Sequence, residues 1–169
     1  MLPVWCPDVS GLAVRIRRNT HPWRICILVA IIDWFSRFIV GWSISNTLQA
    51  DFVIRTVHAA IAAHGKPEII NSDQGSQFTS HDYINCIKSY ETVKISMDGK
   101  GRATDNIMIE RFFRSYKWER LYPLCPETVR EVKEMTREYM THYNYGRDHQ
   151  SFDYVTPSSV YFGINQAAA

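Results

Sequence analysis

"ICILVAIIDWFSRFIVGWSIS", residues 25–45, is the stretch on which the fold turns. Eight consecutive apolar residues, 25–32, rich in isoleucine, end at Asp33. A short unbroken apolar run closed by a turn residue predicts a strand buried on both faces. "WFSR" (34–37) predicts a turn, and "FIVGWSIS" (38–45) a second strand of aromatic and β-branched residues. The two segments predict a hairpin inside a sheet.

Downstream, "QADFVIRTVHAAIAAHGKP" (49–67) carries Phe52, Ile54, Val57 and Ile61 on one helical stripe, with Gly65 and Pro67 as a stop. "EIINSD" (68–73) predicts a strand, 80–90 a helix capped by Ser80, and "TVKISM" (92–97) a further strand. "DGKGRATD" (98–105) predicts a loop and "NIMIERFFRSYKWERLY" (106–122) a helix capped near Asp105. "PETVREVKEMTREYMTHYNYGR" (126–147) predicts a long last helix, with Pro126 near its first turn and Gly146 at its end. Upstream, "VWCPDVS" (4–10) predicts a short strand weakened by Pro7, and 11–24 a basic loop or irregular hairpin. An antiparallel meander followed by crossover helices gives an α/β fold, a mixed five-stranded sheet with helices packed on it. One domain is expected over 1–169.

With 169 residues, 46% of them hydrophobic, the chain has enough apolar content for a core and too much for disorder. The net charge of +2 permits a nucleic-acid partner without requiring one. The basic residues are nevertheless clustered: Arg15, Arg17, Arg18 and Arg24 early, and Lys100, Arg102, Arg111, Arg114, Lys117 and Arg120 later. Cys6, Cys26, Cys86 and Cys125 form no C-x-x-C pair, which argues against a zinc module or a redox motif. No apolar run is long enough to span a bilayer, and Met1 is not followed by a basic-then-apolar leader. A soluble protein of the cytoplasm is expected.

"SDQGSQFTS" (72–80) raises the question of function. Asp73 leaves a predicted strand into a collar of small polar residues. Asp73 and Gly75 are ordinary turn residues, so the carboxylate acquires meaning only from partners elsewhere. In the helix after 105, Ile109, Phe112, Phe113 and Tyr116 form a buried stripe with Glu110 at its edge. Arg114 and Lys117, four and seven residues on, share Glu110's side, so the plain reading of Glu110 is an ion pair with Arg114. Phosphoryl transfer on DNA commonly uses two divalent ions held by carboxylates, with basic residues beside them for the DNA backbone.

Four blocks carry a resemblance: "AIIDWFSRFIVGWSISNTLQADF", "PEIINSDQGSQFTS", "ISMDGKGRATDNIMIERFFRSYKWE" and "YNYGRDHQSFDYVTPSSVYFG". In this order they resemble the catalytic core of bacterial insertion-sequence transposases, of the retroviral-integrase superfamily. The resemblance covers about residues 25–163 and implies a ribonuclease H-like fold that cuts and joins DNA strands at transposon ends. It implies that two Mg²⁺ or Mn²⁺ ions are held by an Asp-Asp-Glu triad. Asp73 matches the second acid and Glu110 the third. Lys117 matches a basic residue that contacts DNA, with Arg114 and Arg102 as further candidates. The first acid should follow a Trp on the first strand. "VWCPD" offers Asp8, with Asp33 as the alternative; Asp33 also reads as a simple strand-to-turn residue. Residues 74–109 separate Asp73 from Glu110, one more than is usual, and "KSYETVK" (88–94) is the expected place for the insertion.

The segment from Asp8 to Asp33 is longer and richer in arginine than the family's. Pro7 removes a backbone donor beside Asp8. These departures keep two other readings open: a degenerate core that binds DNA without chemistry, and a metal-dependent nuclease that only hydrolyses. Family members usually carry DNA-binding segments upstream, whereas here only seven residues precede Asp8. A core fragment or the product of a truncated element is therefore expected, acting as a dimer at the bacterial nucleoid. Asp98 and Asp105 read as turn and cap residues. His149 reads as a structural hydrogen-bonding residue, and Trp5, Trp34 and Trp42 as core.

Overall fold

The computed structural model describes residues 3–8, 14–18, 21–47, 49–97 and 107–163. β3 (His21–Asp33) and β4 (Ile39–Ser45) form the expected antiparallel hairpin, with Leu28 opposite Ile44 and Ala30 opposite Trp42. Every residue from 26 to 33 is buried. Period-two alternation sends Cys26, Leu28, Ala30 and Ile32 into one core and Ile27, Val29 and Ile31 into another. That is why no polar residue interrupts the run.

β1 (Val4–Asp8) lies antiparallel to β3, with Trp5 opposite Asp33 and Asp8 opposite Ala30. It also runs parallel to β5 (Ile69–Ser72), pairing Val4 with Ile69 and Trp5 with Ile70. β5 pairs in parallel with β6 (Lys94–Met97). The main sheet is therefore mixed and five-stranded, in the order β4-β3-β1-β5-β6. β2 (Val14–Arg18) pairs only with residues 21–26, through a register shift between Ile16 and Arg18. Of the basic loop or irregular hairpin expected for 11–24, the described residues form paired strands, which extend β3 beyond its apolar run.

Pro7 sits in a central strand without breaking it. The Trp34 N–H donates to Val4 O at 2.8 Å, which fixes the hydrogen-bonding alternation of β1 against β3. By that alternation the nitrogen of Pro7 faces away from β3, on β5's side. It lies beyond Trp5, the last residue paired with β5. A missing donor there removes no ladder bond.

α1 (Ala50–His64) packs on β4. Its buried face is Phe52, Val53, Thr56, Val57, Ala60 and Ile61, while Ile54 is half-buried. Gly41 permits the approach, since a Cβ there would stand 3.0 Å from the Cβ of Ala60. α2 (His81–Lys88) is capped by Ser80 as expected, its hydroxyl accepting from the Tyr83 N–H. On the opposite face of the sheet lies α3 (Ile107–Tyr116), followed by a π-helical turn (Lys117–Leu121) and the short α4 (Tyr122–Leu124). α5 (Val129–Thr141) runs into a second π-helical turn ending at Gly146, and α6 (Pro157–Tyr161) follows. The last long helix does not open at Pro126. Thr128 caps it, accepting from the Glu131 N–H at 3.1 Å, and the Glu131 carboxylate accepts from the Glu127 N–H at 2.7 Å. A reciprocal cap satisfies two orphan donors, which a proline cannot do. Among the described residues, no helix is long and apolar enough to cross a membrane.

Candidate functional site

The collar after Asp73 has a mechanical explanation. One carboxylate oxygen of Asp73, Oδ1, accepts from the Gly75 N–H at 2.9 Å. A Cβ at Gly75 would stand 2.9 Å from that oxygen and 2.8 Å from Gln77 Nε2, so any larger residue would push the carboxylate aside. Phe78 then turns inward, fully buried and edge-on to Tyr83 at 5.2 Å, and its N–H donates to Gly75 O. The loop is thus pinned at both ends while Asp73 stays half-buried. Among the described residues, Oδ2 of Asp73 takes no hydrogen bond.

The strand register decides which acids share an end of the sheet. β1 and β5 are parallel neighbours, and the register Val4–Ile69, Trp5–Ile70, continued, brings position 8 level with position 73. Asp8 and Asp73 therefore lie at the carboxyl ends of adjacent strands. Asp33 is level with Trp5, three residues back along β1 or roughly 10 Å. Its Oδ2 accepts from the Ser36 N–H (2.9 Å) and hydroxyl (2.6 Å), and its carbonyl accepts from the Arg37 N–H. Asp33 closes the strand into the turn, as its plain reading expects. The side chain of Asp8 lies outside the described residues.

Ile109, Phe112, Phe113 and Tyr116 of α3 are all buried, as their spacing predicts. They share a core with Cys6 of β1, two residues before Asp8. Glu110, beside Ile109, is exposed, as is Arg114, while Lys117 is half-buried. The expected Glu110–Arg114 ion pair is absent from the ion pairs of the described residues. Glu110 is thus not engaged by Arg114. The sequence predicts a regular helix to 122, but at Lys117 the helix widens: the Tyr122 N–H donates to Lys117 O, an i+5 bond. Such π-turns recur at functional sites. Arg102, Asp98 and Asp105 lie outside the described residues.

His149 makes its structural hydrogen bonds through the backbone, its N–H donating to Val155 O and its carbonyl accepting from the Phe152 and Tyr154 N–H groups. Its side-chain Nε2 is enclosed and unpartnered among the described residues. Its ring is held instead edge-on to Tyr143 at 5.2 Å and stacked on Phe152 at 6.0 Å. Trp34 is not core: it is 39% exposed on the turn, whereas Trp5 is fully buried and Trp42 packs at the core's margin.

No group of three or more His, Cys, Asp or Glu that could hold a metal occurs among the described residues, whose side chains do not include Asp8. The donor set nonetheless suits a hard cation. Asp73 offers a carboxylate oriented by a backbone N–H with one oxygen spare, and Glu110 a carboxylate without an ion-pair partner among the described residues. Hard oxygen donors of this kind fit Mg²⁺ or Mn²⁺.

A mixed five-stranded sheet with helices on both faces is the ribonuclease H-like architecture of retroviral integrase cores. The catalytic core domain of BIV integrase superposes with a TM-score of 0.70 at 20% identity, over 95% of this chain and 93% of that one. The HTLV-2 integrase catalytic core, solved in complex with magnesium, gives 0.63 at 20% identity, over 95% and 97%. Two models of the integrase core domain match residues 4–103 and 91–157, and the chain belongs to that family. In sequence it is similar to insertion-sequence transposases. It is 37% identical to that of IS904 from Lactococcus lactis over 77% of this chain and 52% of the relative. To InsK, a putative transposase for IS150 from Escherichia coli, it is 30% identical over 90% and 52%. The chain spans about half the length of these curated relatives.

Proposed function

We propose that the chain is the catalytic core of a DNA transposase, cutting at element ends and joining them to a target. The observation that carries this reading is the register of β1 and β5, by which Asp8 and Asp73 end adjacent parallel strands. On the same face, α3 presents Glu110 beside Ile109, which shares a core with Cys6. Asp8, Asp73 and Glu110 would hold two Mg²⁺ or Mn²⁺ ions. When bound, these supply activation of the attacking oxygen and stabilisation of the leaving one.

The protein's own part is positioning. The Gly75 N–H fixes one oxygen of Asp73, and the other, unbonded among the described residues, would ligate. Lys117, on Glu110's side of α3, holds a backbone phosphate, with Arg114 and Arg102 further out. Water first attacks a phosphodiester, the P–O bond to the 3′-oxygen breaks, and a 3′-hydroxyl is released. That hydroxyl then attacks a target phosphodiester in line, displacing another 3′-oxygen, and no covalent protein–DNA bond is needed. Two or more copies would act together on two ends. The cores of HTLV-2 integrase have been solved in dimeric and trimeric forms.

The test uses DNA carrying element ends, with Mn²⁺ or Mg²⁺. Wild type should give strand-joined product, and Asp73→Asn and Glu110→Gln should each lose nearly all of it while remaining folded. Joining that persists in EDTA, or in either variant, overturns the reading. Cleavage without joined product would identify a nuclease that only hydrolyses.

A further inference from the structure

A polar cavity of about 360 Å³ opens on a side of α3 away from Glu110. Arg37 enters it from the turn after β3, Arg111 and Ser115 from α3, and Arg147 and His149 from the segment after α5; buried Tyr143 also lines it. Three arginines from three separate parts of the chain thus line one cavity. Two acids oppose them. Asp148 lines the rim and is exposed, and Glu119 takes two bonds from a single nitrogen of Arg147, both at 2.7 Å. Arg37 stacks over the Phe152 ring at 4.8 Å, which holds its charge in place. The Nε2 of His149 has no partner among the described residues and is enclosed by the fold rather than open to the cavity. Burial first, then Arg37 and Arg147, disfavour a proton on that ring, with Asp148 opposing them.

At about 100° per residue, Lys117 and Arg114 lie within roughly 40° of Glu110 around the helix, whereas Arg111 and Ser115 are turned away by roughly 100–140°. A phosphate held beside Glu110 by Lys117 therefore cannot occupy this pocket. Planar guanidinium forks match phosphate oxygens, and the cavity is large enough for a phosphodiester. We propose that the Arg37–Arg111–Arg147–His149 pocket binds a backbone phosphodiester of DNA outside the reacting strand segment, as a second anchor. This rests on the reading of the chain as a DNA-processing core. The ligand chemistry is shared with free inorganic phosphate, and the experiment separates the two.

Affinity for a short fluorescent duplex is measured in EDTA across a salt series, for wild type, Arg111→Gln, Arg37→Gln and, as a remote control, Arg130→Gln on α5. Arg111 is exposed on a helix, so its replacement tests the pocket without threatening the fold. Arg111→Gln and Arg37→Gln should each weaken binding several-fold and reduce the slope of log affinity against log salt by about one unit. The control should run parallel to wild type. Lines parallel to wild type for both pocket variants overturn the proposal. So does a shift of the His149 ring resonances with millimolar inorganic phosphate in the absence of any slope change, since that identifies a free-anion site. The two readings fail separately. Joining that survives EDTA defeats the proposed chemistry and says nothing of the slopes, while parallel slopes defeat the pocket and leave metal dependence untouched.

Discussion

At Gly75 a single hydrogen atom in place of a side chain keeps Asp73 where it is. Gly75→Ala would bring its Cβ to 2.9 Å from the Asp73 carboxylate, so that side chain must shift, and we expect a sharp fall in strand joining with little change in the urea midpoint. Strand joining equal to wild type would mean the collar is not a constraint. His149 gives a pH signature. Burial, then the charges of Arg37 and Arg147, pull its pKa down from the ordinary value to about 4, with Asp148 opposing. The folded protein therefore resists protonation that the unfolded chain accepts. The corresponding stability is complete above about pH 6.5 and is lost as pH falls from there towards 4. Urea midpoints at pH 7 and pH 5 should separate more in wild type than in His149→Gln, and equal separations would contradict the assignment. At this scale the sequence showed Asp73 as a turn residue with a small collar. It could not show which oxygen is held, because that depends on the path of the loop. Nor could it show that the His149 ring packs between Tyr143 and Phe152 while its backbone makes the hydrogen bonds.

At the scale of elements, periodicity was legible wherever burial is one-sided or complete. The stripe of α3 and the unbroken run in β3 each follow from which faces the core covers. Boundaries were less legible where local chemistry competes. Thr128 wins the start of α5 because its hydroxyl and Glu131 satisfy donors together, so Thr128→Ala should cost about 1 kcal/mol, read as a lowered urea midpoint. A midpoint equal to wild type would show the cap to be idle. The π-turn at Lys117 left no periodic trace, since residues up to Tyr116 keep α-helical spacing. Lys117 still sits about 10.5 Å along the axis from Glu110. Lys117→Ala should weaken DNA binding for all sequences alike and lower the salt slope by about one unit. Equal slopes and affinities would remove it from the DNA interface.

For the molecule as a whole, the order of elements was readable from hydrophobic pattern, but the register of β1 against β5 was not. Parallel strands far apart in sequence are aligned by tertiary packing, and that alignment is what separates Asp8 from Asp33. The same register explains Pro7, whose missing donor falls past the last paired residue. On the proposed function, three carboxylates, from β1, the end of β5 and α3, hold the metal ions. Anomalous diffraction from crystals soaked in Mn²⁺ locates those ions. We predict manganese density at Asp8, Asp73 and Glu110 and its loss in Asp73→Asn. Density beside Asp33 instead, or density at Asp73 and Glu110 that Asp73→Asn leaves unchanged, would contradict the account.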